Sequence, residues 1–499
     1  MNKQILLVEP AYKTKYPPLG LMKISTYHKR KGDDVIFVKG CSSRIRGEYW
    51  DKVYISTLFT YTWKETVKTI NFYKDALFYA SSKIYVGGIL ANILPEELFN
   101  ATGIMPVIGL LDDPKKLDQK DDIIIDELPP DYEILKQVEN NNFSYLHTDA
   151  YIGYATRGCV RTCEFCVVNL FEPEYIPYIN ISKIIENIQS ESGKKQNLLL
   201  MDNNVLASKY FDKIIDDIKD AGFKKGAKFG KTKRKRIVDF NQGLDARLIT
   251  EKKMKKLSEI PLEPMRVAFD DIKYKKTYIK AMRIAHKYKQ KHMSNYILFN
   301  FKDTPEDFYE RLEINIKLNE EFAKEPIDSK GRKTVIYSFP MRYFPFNATS
   351  RVADTGNKFW NKRFLRGLQV ILNVTKGSVM PGAQFFYQAF GETQEEFISI
   401  LLMPDEFIRN RVKPNWQKIK DSSKRLMPYV KMWMMNYQKL SGSEKRQLIE
   451  ILAPNDISNI HCCHRKIRSN KIKKLLECHL NTEKFMNGNK KCPTKKLIR

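Results

Sequence analysis

Apolar positions along the first hundred residues follow two alternating rhythms. ILLVEP (5–10), DVIFVKG (34–40), KVYISTLF (52–59), KIYVGGI (83–89) and MPVIGLL (105–111) are short continuous runs of the buried-strand type. Between them LGLMKISTYHKRKG (19–32), the stretch from Trp63 to about Phe78 and a segment opening at Pro95 carry helical spacing. Regular alternation of strand and helix predicts an α/β domain over 1–112, a doubly wound parallel sheet with ligand loops at the carboxyl ends of its strands. The charged segment DDPKKLDQKDD (112–122) reads as its exit, and LPPDYEILKQ (128–137) as a linker or docking element within 113–150.

From Tyr151 the alternation restarts with longer helices. YIGYAT (151–156), NLLLMDN (197–203), RIVDFN (236–241), MRVAFDD (265–271), NYILFNF (295–301) and TVIYSFP (334–340) are strand candidates. Six βα units in series predict a partial or full β/α barrel over 151–345, with reacting groups at the carboxyl ends of the strands. Beyond Arg342 the strand pattern fades into helical spacing, so 346–460 is expected to be a helical domain. The tail 461–499 carries a net charge of +10 and is expected to be partly disordered unless a metal orders it.

Composition narrows the function classes. With 499 residues the chain has room for about three domains. No apolar run approaches the ~20 residues of a membrane span, and Glu9 and Pro10 interrupt the N-terminal run before it could act as a signal segment. A cytoplasmic location with no membrane partner is expected. Lys and Arg outnumber Asp and Glu by 86 to 58, a formal charge of +28 that suits an anionic substrate such as RNA, DNA or a nucleotide. The abundance of Lys, Asn and Ile is also what an AT-biased genome produces. KKGAKFGKTKRKR (224–236) is the densest cationic tract, and it reads equally as a phosphate contact or a solvated hairpin.

Cysteine placement changes the picture most. Three of the eight lie in TRGCVRTCEFC, as Cys159-x3-Cys163-x2-Cys166 after the first barrel strand. Three thiolates on one loop can ligate three irons of a [4Fe–4S] cluster and leave the fourth iron open, the mark of a catalytic rather than a structural site. Zinc would require a fourth protein ligand, and no His or Cys occurs between Cys166 and His286. Gly158 permits a sharp turn into the loop, and Phe165 offers a ring beside a flat ligand. His461, Cys462, Cys463, His464, Cys478, His479 and Cys492 are numerous enough for zinc or an auxiliary cluster, although adjacent cysteines suit one tetrahedral site poorly.

This loop resembles the signature of the radical S-adenosylmethionine superfamily. The resemblance extends over roughly residues 3–345 to the subgroup with an N-terminal cobalamin-binding-type domain, through Pro17 to Leu21 (PPLGL), Val86-Gly87-Gly88 and Arg157-Gly158-Cys159. It implies that the open iron is chelated by the amino and carboxylate groups of S-adenosylmethionine. Reduction then cleaves a carbon–sulfur bond to give methionine and a 5′-deoxyadenosyl radical that attacks an unactivated carbon, and in this subgroup methyl transfer is the commonest outcome. A reductant such as flavodoxin or ferredoxin is implied as a partner.

Family enzymes contact the amino group from the end of the second barrel strand. Here that position reads Met201-Asp202-Asn203-Asn204 in place of Gly-Gly-Glu, and Asn204 also suits a helix N-cap. Asn241, Gln242, Asp245 and Arg247 follow the third strand, with Arg247 the candidate for the carboxylate unless a salt bridge to Asp245 engages it. Asp270 and Asp271 are weaker candidates for orienting substrate. In the N-terminal domain Ser56, Thr57, Gly87 and Gly88 are expected to line a cobalamin site. The loop EPAYKTKYPPLG lacks the histidine of the Asp-x-His-x-x-Gly pattern, so cobalamin would bind without it, or the domain has lost the cofactor. Methylthiotransferases carry a second three-cysteine cluster in this domain, whereas only Cys41 is present here. From another class, a nucleic-acid-binding protein with a structural cluster is the competing reading, and four thiolates would be expected for it.

Overall fold

The computed structural model describes residues 2–74, 84–140, 142–351, 355–412 and 421–486. They form two compact units, Met1–Arg266 with Phe344–Thr355, and Val267–Tyr343 with Gly356–Arg499. No helix among the described residues is long and apolar enough to cross a membrane.

The first unit opens with β1 (Gln4–Glu9), α1 (Leu19–Arg30), β2 (Asp34–Lys39), α2 (Ser43–Arg46), β3 (Lys52–Thr57), α3 (Trp63–Lys74), β4 (Ile84–Gly88), α4 (Ile89–Ile93) and α5 (Pro95–Thr102). The strands pair in parallel in the order β2-β1-β3-β4, so the direction of winding reverses between β1 and β3. Leu6, Val8, Val53, Ile55, Val86 and Leu98 meet in its core. The part of the expected second helix beyond Lys74 lies outside the described residues. MPVIGLL, expected as a fifth strand, makes only a single bridge from Val107 to Gly87. Pro106 has no N–H to donate, Gly109 turns at φ +82°, and Met105 and Ile108 face solvent. Residues 113–150 are less a linker than a strap bound to the domain. Ile125, Ile134 and Leu135 are buried, Ser25 Oγ donates to Asp131, and Tyr132 OH donates to the carbonyl of Ala150.

Still in the first unit follow β5 (Ala150–Gly153), α6 (Val168–Phe171), α7 (Ile181–Ser192), β6 (Asn197–Leu200), α8 (Phe211–Asp220), the hairpin β7 (Lys228–Phe229) and β8 (Arg234–Lys235), β9 (Val238–Phe240) and α9 (Glu251–Leu257). β5, β6 and β9 form a parallel sheet. Helix α8 turns Phe211, Ile214, Ile215 and Ile218 inward, the i, i+3, i+4, i+7 spacing of an amphipathic helix.

The unit boundary falls within β10 (Met265–Ala268), which shares a sheet with β11 (His292–Phe299) and β12 (Val335–Arg342); α10 (Lys275–Lys287) and α11 (Pro305–Phe322) intervene. All six strands expected from Tyr151 onward therefore occur, distributed over two sheets of three. Then come α12 (Lys362–Val374), α13 (Ala383–Phe390), α14 (Gln394–Leu402), α15 (Asp405–Val412), α16 (Asp421–Gln438), α17 (Gly442–Leu452), α18 (Ile457–Lys466), α19 (Asn470–Leu480) and α20 (Thr482–Met486). Phe308, Leu368, Leu401 and Trp433 are fully buried in one apolar cluster of this unit. The buried Arg363 guanidinium ties it together, donating to the Leu401 carbonyl, Asn455 Oδ1 and Asp405.

Within the segment expected to be partly disordered, the described residues 461–486 are mostly helical. The division expected at 460/461 falls inside α18, and α19 buries Ile472, Leu475, Leu476 and Cys478 in the helical core. His479 Nε2 bonds the Leu402 carbonyl at 2.9 Å, and burial pushes its pKa down to about 3. Apolar packing therefore orders this segment as far as Met486. Among the described residues no three His, Cys, Asp or Glu side chains are grouped so as to hold one metal ion, and Cys492 lies outside them.

Gly367 on α12 lies so close to α14 that an added Cβ would fall 2.5 Å from the Leu401 carbonyl oxygen and 2.8 Å from its Cα. Neither atom is at the end of a flexible side chain. Gly367→Ala is expected to destabilise this unit by roughly 1–3 kcal/mol, the usual effect of overpacking, read as a lower denaturant midpoint.

Candidate functional site

The cysteine loop leaves the carboxyl end of β5 and is held from two sides. Asp202, after β6, is fully buried and accepts from the Ala155 N–H (3.1 Å), the Thr156 N–H and Thr156 Oγ1 (2.7 Å). Burial raises its pKa to about 6 despite these bonds. On the other side Glu172 accepts from Arg157 Nε (2.9 Å) and Arg157 Nη2 (2.6 Å), from the Gly158 N–H (2.7 Å) and from Asn203 Nδ2 (3.1 Å). Arg157 also meets Asp126 at 3.1 Å, which Lys23 pairs at 2.9 Å. Burial pushes Asp126 upward, but Lys23 and Arg157 outweigh it and hold the carboxyl below its usual range. Gly158 sits at φ +68°, and a Cβ there would fall 2.3 Å from the Glu174 carbonyl. Only glycine fits this turn.

Cys159, Cys163 and Cys166 are all half-buried, and the Cys166 N–H bonds the Cys163 carbonyl at 2.9 Å. Two donors converge on Cys159 Sγ: the Arg161 N–H at 3.4 Å and Asn204 Nδ2 at 3.6 Å. Such donors stabilise a thiolate and tune a bound metal. Three half-buried thiols on one loop are the donor type that an iron–sulfur cluster takes. On the same amide whose Nδ2 faces Cys159, Asn204 Oδ1 is buried with no hydrogen-bond partner, an orphaned acceptor.

The other expected residues separate into two groups. Asn203 and Asn204 lie against the loop, and Arg161 joins Asp245 to it at 3.3 Å. Asp202, expected at an ammonium group, instead holds loop backbone, because its burial behind Ala155 and Thr156 leaves no exposed carboxylate. Arg247 is gripped by Asp245 through Nε (2.7 Å) and Nη2 (3.0 Å), the pairing that competed with carboxylate binding. Gln242 is exposed and bonds Asn241, whose Nδ2 donates to Tyr16 OH. Phe165 is half-buried on the loop. In the second unit Asp271 caps the Lys273 N–H, while the Phe269 and Asp270 carbonyls accept from the buried Arg311.

At the carboxyl ends of the first sheet, Thr57 is buried, donating to the Gly87 carbonyl and accepting from the Ala91 N–H. Ser56 and Gly87 are half-buried and Gly88 is exposed, at φ +110° and in close contact with Thr57. Helix α4, which follows Gly88, packs against α6, which follows the cysteine loop. Glu9, Tyr12, Ser56, Thr57 and the glycines at these strand ends carry no nitrogen or sulfur side chain. Glu172, which organises the loop, escaped the sequence reading. Its signal is an acidic residue six positions after Cys166, legible only once Arg157 is known to face it.

No protein-family model matches the chain, and no curated protein matches it at a significant level. Among solved structures it is similar to the radical S-adenosylmethionine methyltransferase TsrM from Kitasatospora setae, described with cobalamin and a [4Fe–4S] cluster bound. Identity is 13%, coverage 70% of this chain and 77% of that one, and the TM-score 0.45. A second TsrM structure, with tryptophan substrate and an S-adenosylmethionine analogue, gives the same TM-score. It is also similar to the apo form of the cobalamin-dependent S-adenosylmethionine radical enzyme OxsB, at 11% identity over 98% of this chain and 80% of that one, with a TM-score of 0.48.

Two outcomes follow from the loop's supports. Glu172→Ala leaves the buried Arg157 with Asp126 alone, and removing one partner of a buried pair costs roughly 3–5 kcal/mol. Thermal unfolding should begin earlier than in the wild type. For Asp202, the folded protein binds its proton more tightly than the unfolded chain, so its contribution to stability is present below about pH 4 and lost as pH rises to about 6. Asp202→Asn keeps the acceptor but not the titration. Urea midpoints of this variant should lack the roughly 1–3 kcal/mol decline that the wild type shows across that window.

Proposed function

We propose that this protein is a radical S-adenosylmethionine enzyme in which Cys159, Cys163 and Cys166 hold a [4Fe–4S] cluster, acting with cobalamin to transfer a methyl group to an unactivated carbon. The observation that carries this reading is the pairing of the three-cysteine loop with Asn204, whose amide N–H faces Cys159 Sγ while its carbonyl oxygen has no partner. When bound, the cluster supplies the electron that breaks a carbon–sulfur bond of S-adenosylmethionine. The chain's residues bind and orient. Asn204 Oδ1 accepts from the ammonium group, and Asn203 extends the same polar edge. Arg161, held at 3.3 Å by Asp245 and partly exposed, offers cationic N–H groups to the carboxylate, while Arg247 is engaged by Asp245. Phe165 packs beside the adenine ring. Asp202 and Glu172 keep the loop in register and touch no ligand.

For cobalamin, Ser56, Gly87 and Gly88 supply hydroxyl and backbone contacts at the open strand ends, Thr57 positions Gly87, and no histidine reaches the metal from this set. A flavodoxin or ferredoxin in a cytoplasm that keeps thiols reduced would serve as electron donor. A purely structural cluster would be expected to take four thiolates, and this loop supplies three.

Anaerobic reconstitution with iron and sulfide, followed by dithionite and S-adenosylmethionine, should yield 5′-deoxyadenosine or S-adenosylhomocysteine. Replacing all three cysteines with Ala should abolish both products and the cluster's visible absorption. Asn204→Ala should weaken S-adenosylmethionine binding roughly ten-fold, about 1.4 kcal/mol. Hydroxocobalamin should co-elute with the reconstituted protein on gel filtration. A cluster that survives the triple substitution would refute the site, and loss of co-elution alone would remove only cobalamin from the proposal.

A further inference from the structure

The cationic tract 224–236 folds as an antiparallel hairpin, with Lys228 paired to Lys235 and Phe229 to Arg234. Lys224, Lys225, Lys228, Lys231, Lys233 and Arg234 are exposed, and none has an ion-pair partner among the described residues. Lysines just outside this set behave differently. Lys219 and Lys256 share Glu259, and Lys235 pairs with Glu263. Six like charges held together without counter-charges repel one another, a cost that a bound polyanion relieves.

The hairpin is rooted, not trailing. Arg236 donates to the carbonyls of Gln196 (3.0 Å), Lys195 (2.9 Å) and Gly222 (3.2 Å), and its guanidinium stacks on Phe223 at 3.9 Å. Arg234 lies over the ring of Phe229, so the tract's aromatic ring is covered from within and the outward chemistry is ammonium and guanidinium.

Its position decides the class of partner. The hairpin precedes β9, and its anchors Lys195 and Gln196 precede β6, so it stands at the amino ends of the parallel strands. The cysteine loop leaves their carboxyl ends. An acidic electron donor has to approach the cluster, and a small anionic substrate has to reach it. Charge at the far end serves neither, but it does serve a polymer long enough to be gripped at a distance from the reacting group.

We infer that the hairpin 224–236 is a docking arm for the phosphate backbone of a nucleic acid, reading charge and not base identity. The choice of partner class rests on the proposed cluster site, but the binding itself is measured without cofactors, so its failure and the failure of that site are read separately.

The test uses the full chain and a labelled single-stranded RNA oligonucleotide, with fluorescence anisotropy followed from low to moderate salt. The variant combines Lys228→Gln, Lys231→Gln, Lys233→Gln and Arg234→Gln. Each phosphate contact contributes a slope of about −0.7 to log K against log salt for single strands, so removing four should flatten the slope by about 3 and weaken binding at least ten-fold at low salt. Dithionite-driven cleavage of S-adenosylmethionine should be unchanged in the same variant, which separates failure of the arm from failure of the enzyme. An unchanged slope, or no binding by the wild type at low salt, overturns the inference. So does intact RNA binding with a loss confined to flavodoxin-driven cleavage, which would assign the arm to an acidic protein.

Discussion

Arg157 and Glu172 form the contact on which the candidate site depends. A buried guanidinium without a partner is very unfavourable, and so is a buried carboxylate; each is tolerated here because the other satisfies it. The second Glu172 oxygen takes the Gly158 N–H and Asn203 Nδ2, so the same ion pair binds the backbone one residue before Cys159 and the polar edge after β6. Arg157 reaches Asp126, and Asp126 reaches Lys23 on α1. The charges alternate in sign along the whole path. Removing any one member leaves its neighbours uncompensated, so the arrangement holds the cysteine loop and the N-terminal sheet to one geometry.

Polar satisfaction within this region is uneven, and the unevenness has meaning. Asp202 has donors enough to remain in a dry setting, at the cost of a raised pKa, and therefore acts as scaffold. Asn204, two residues on in the chain, differs in outcome: its N–H finds Cys159 Sγ, and its oxygen finds nothing. A structural asparagine would be expected to use both ends. Pre-organised but unmet hydrogen-bonding capacity next to a half-buried thiol is a feature of ligand sites, because a group left open in the folded chain is one that a ligand can satisfy.

Much of the fold was legible in the chain because periodicity is set by burial. Each of the six strands from Tyr151 onward occurs within a few residues of its expected bounds, and the sheet β2-β1-β3-β4 follows the first alternation. The misreadings have separate physical causes. MPVIGLL has strand composition, but Pro106 and Gly109 deny it a ladder. The basic tail was read from its charges, whereas Ile472, Leu475, Leu476 and Phe485 recur at helical spacing beneath them and bury against the helical core. In the site, spacing alone singled out the cysteine loop, and Asn204 came from the resemblance that places a polar run after the second barrel strand. Which residues hold the loop could not, since Glu172 and Asp126 gain their roles from side chains distant in sequence. Arg247 shows the converse: its partner lay two residues away and was visible throughout.

Parallel strands give a protein two chemically distinct ends, and this chain uses them differently. At the carboxyl end of β5 the Gly158 turn is tight and charges are buried in compensated pairs, conditions that lower the local dielectric and strengthen each directed hydrogen bond. At the amino ends of β6 and β9 the hairpin presents cations to water, where screening makes each one weak and only their number counts. Reactivity needs the first environment, because a thiolate-bound site must exclude competing donors. Capture of a long polyanion needs the second, because binding by counterion release works through many exposed charges and demands no fixed geometry. Placing the two at opposite ends of the same strands lets one be altered without disturbing the other, and it follows that substitutions in the hairpin should leave the packing of the cysteine loop unchanged.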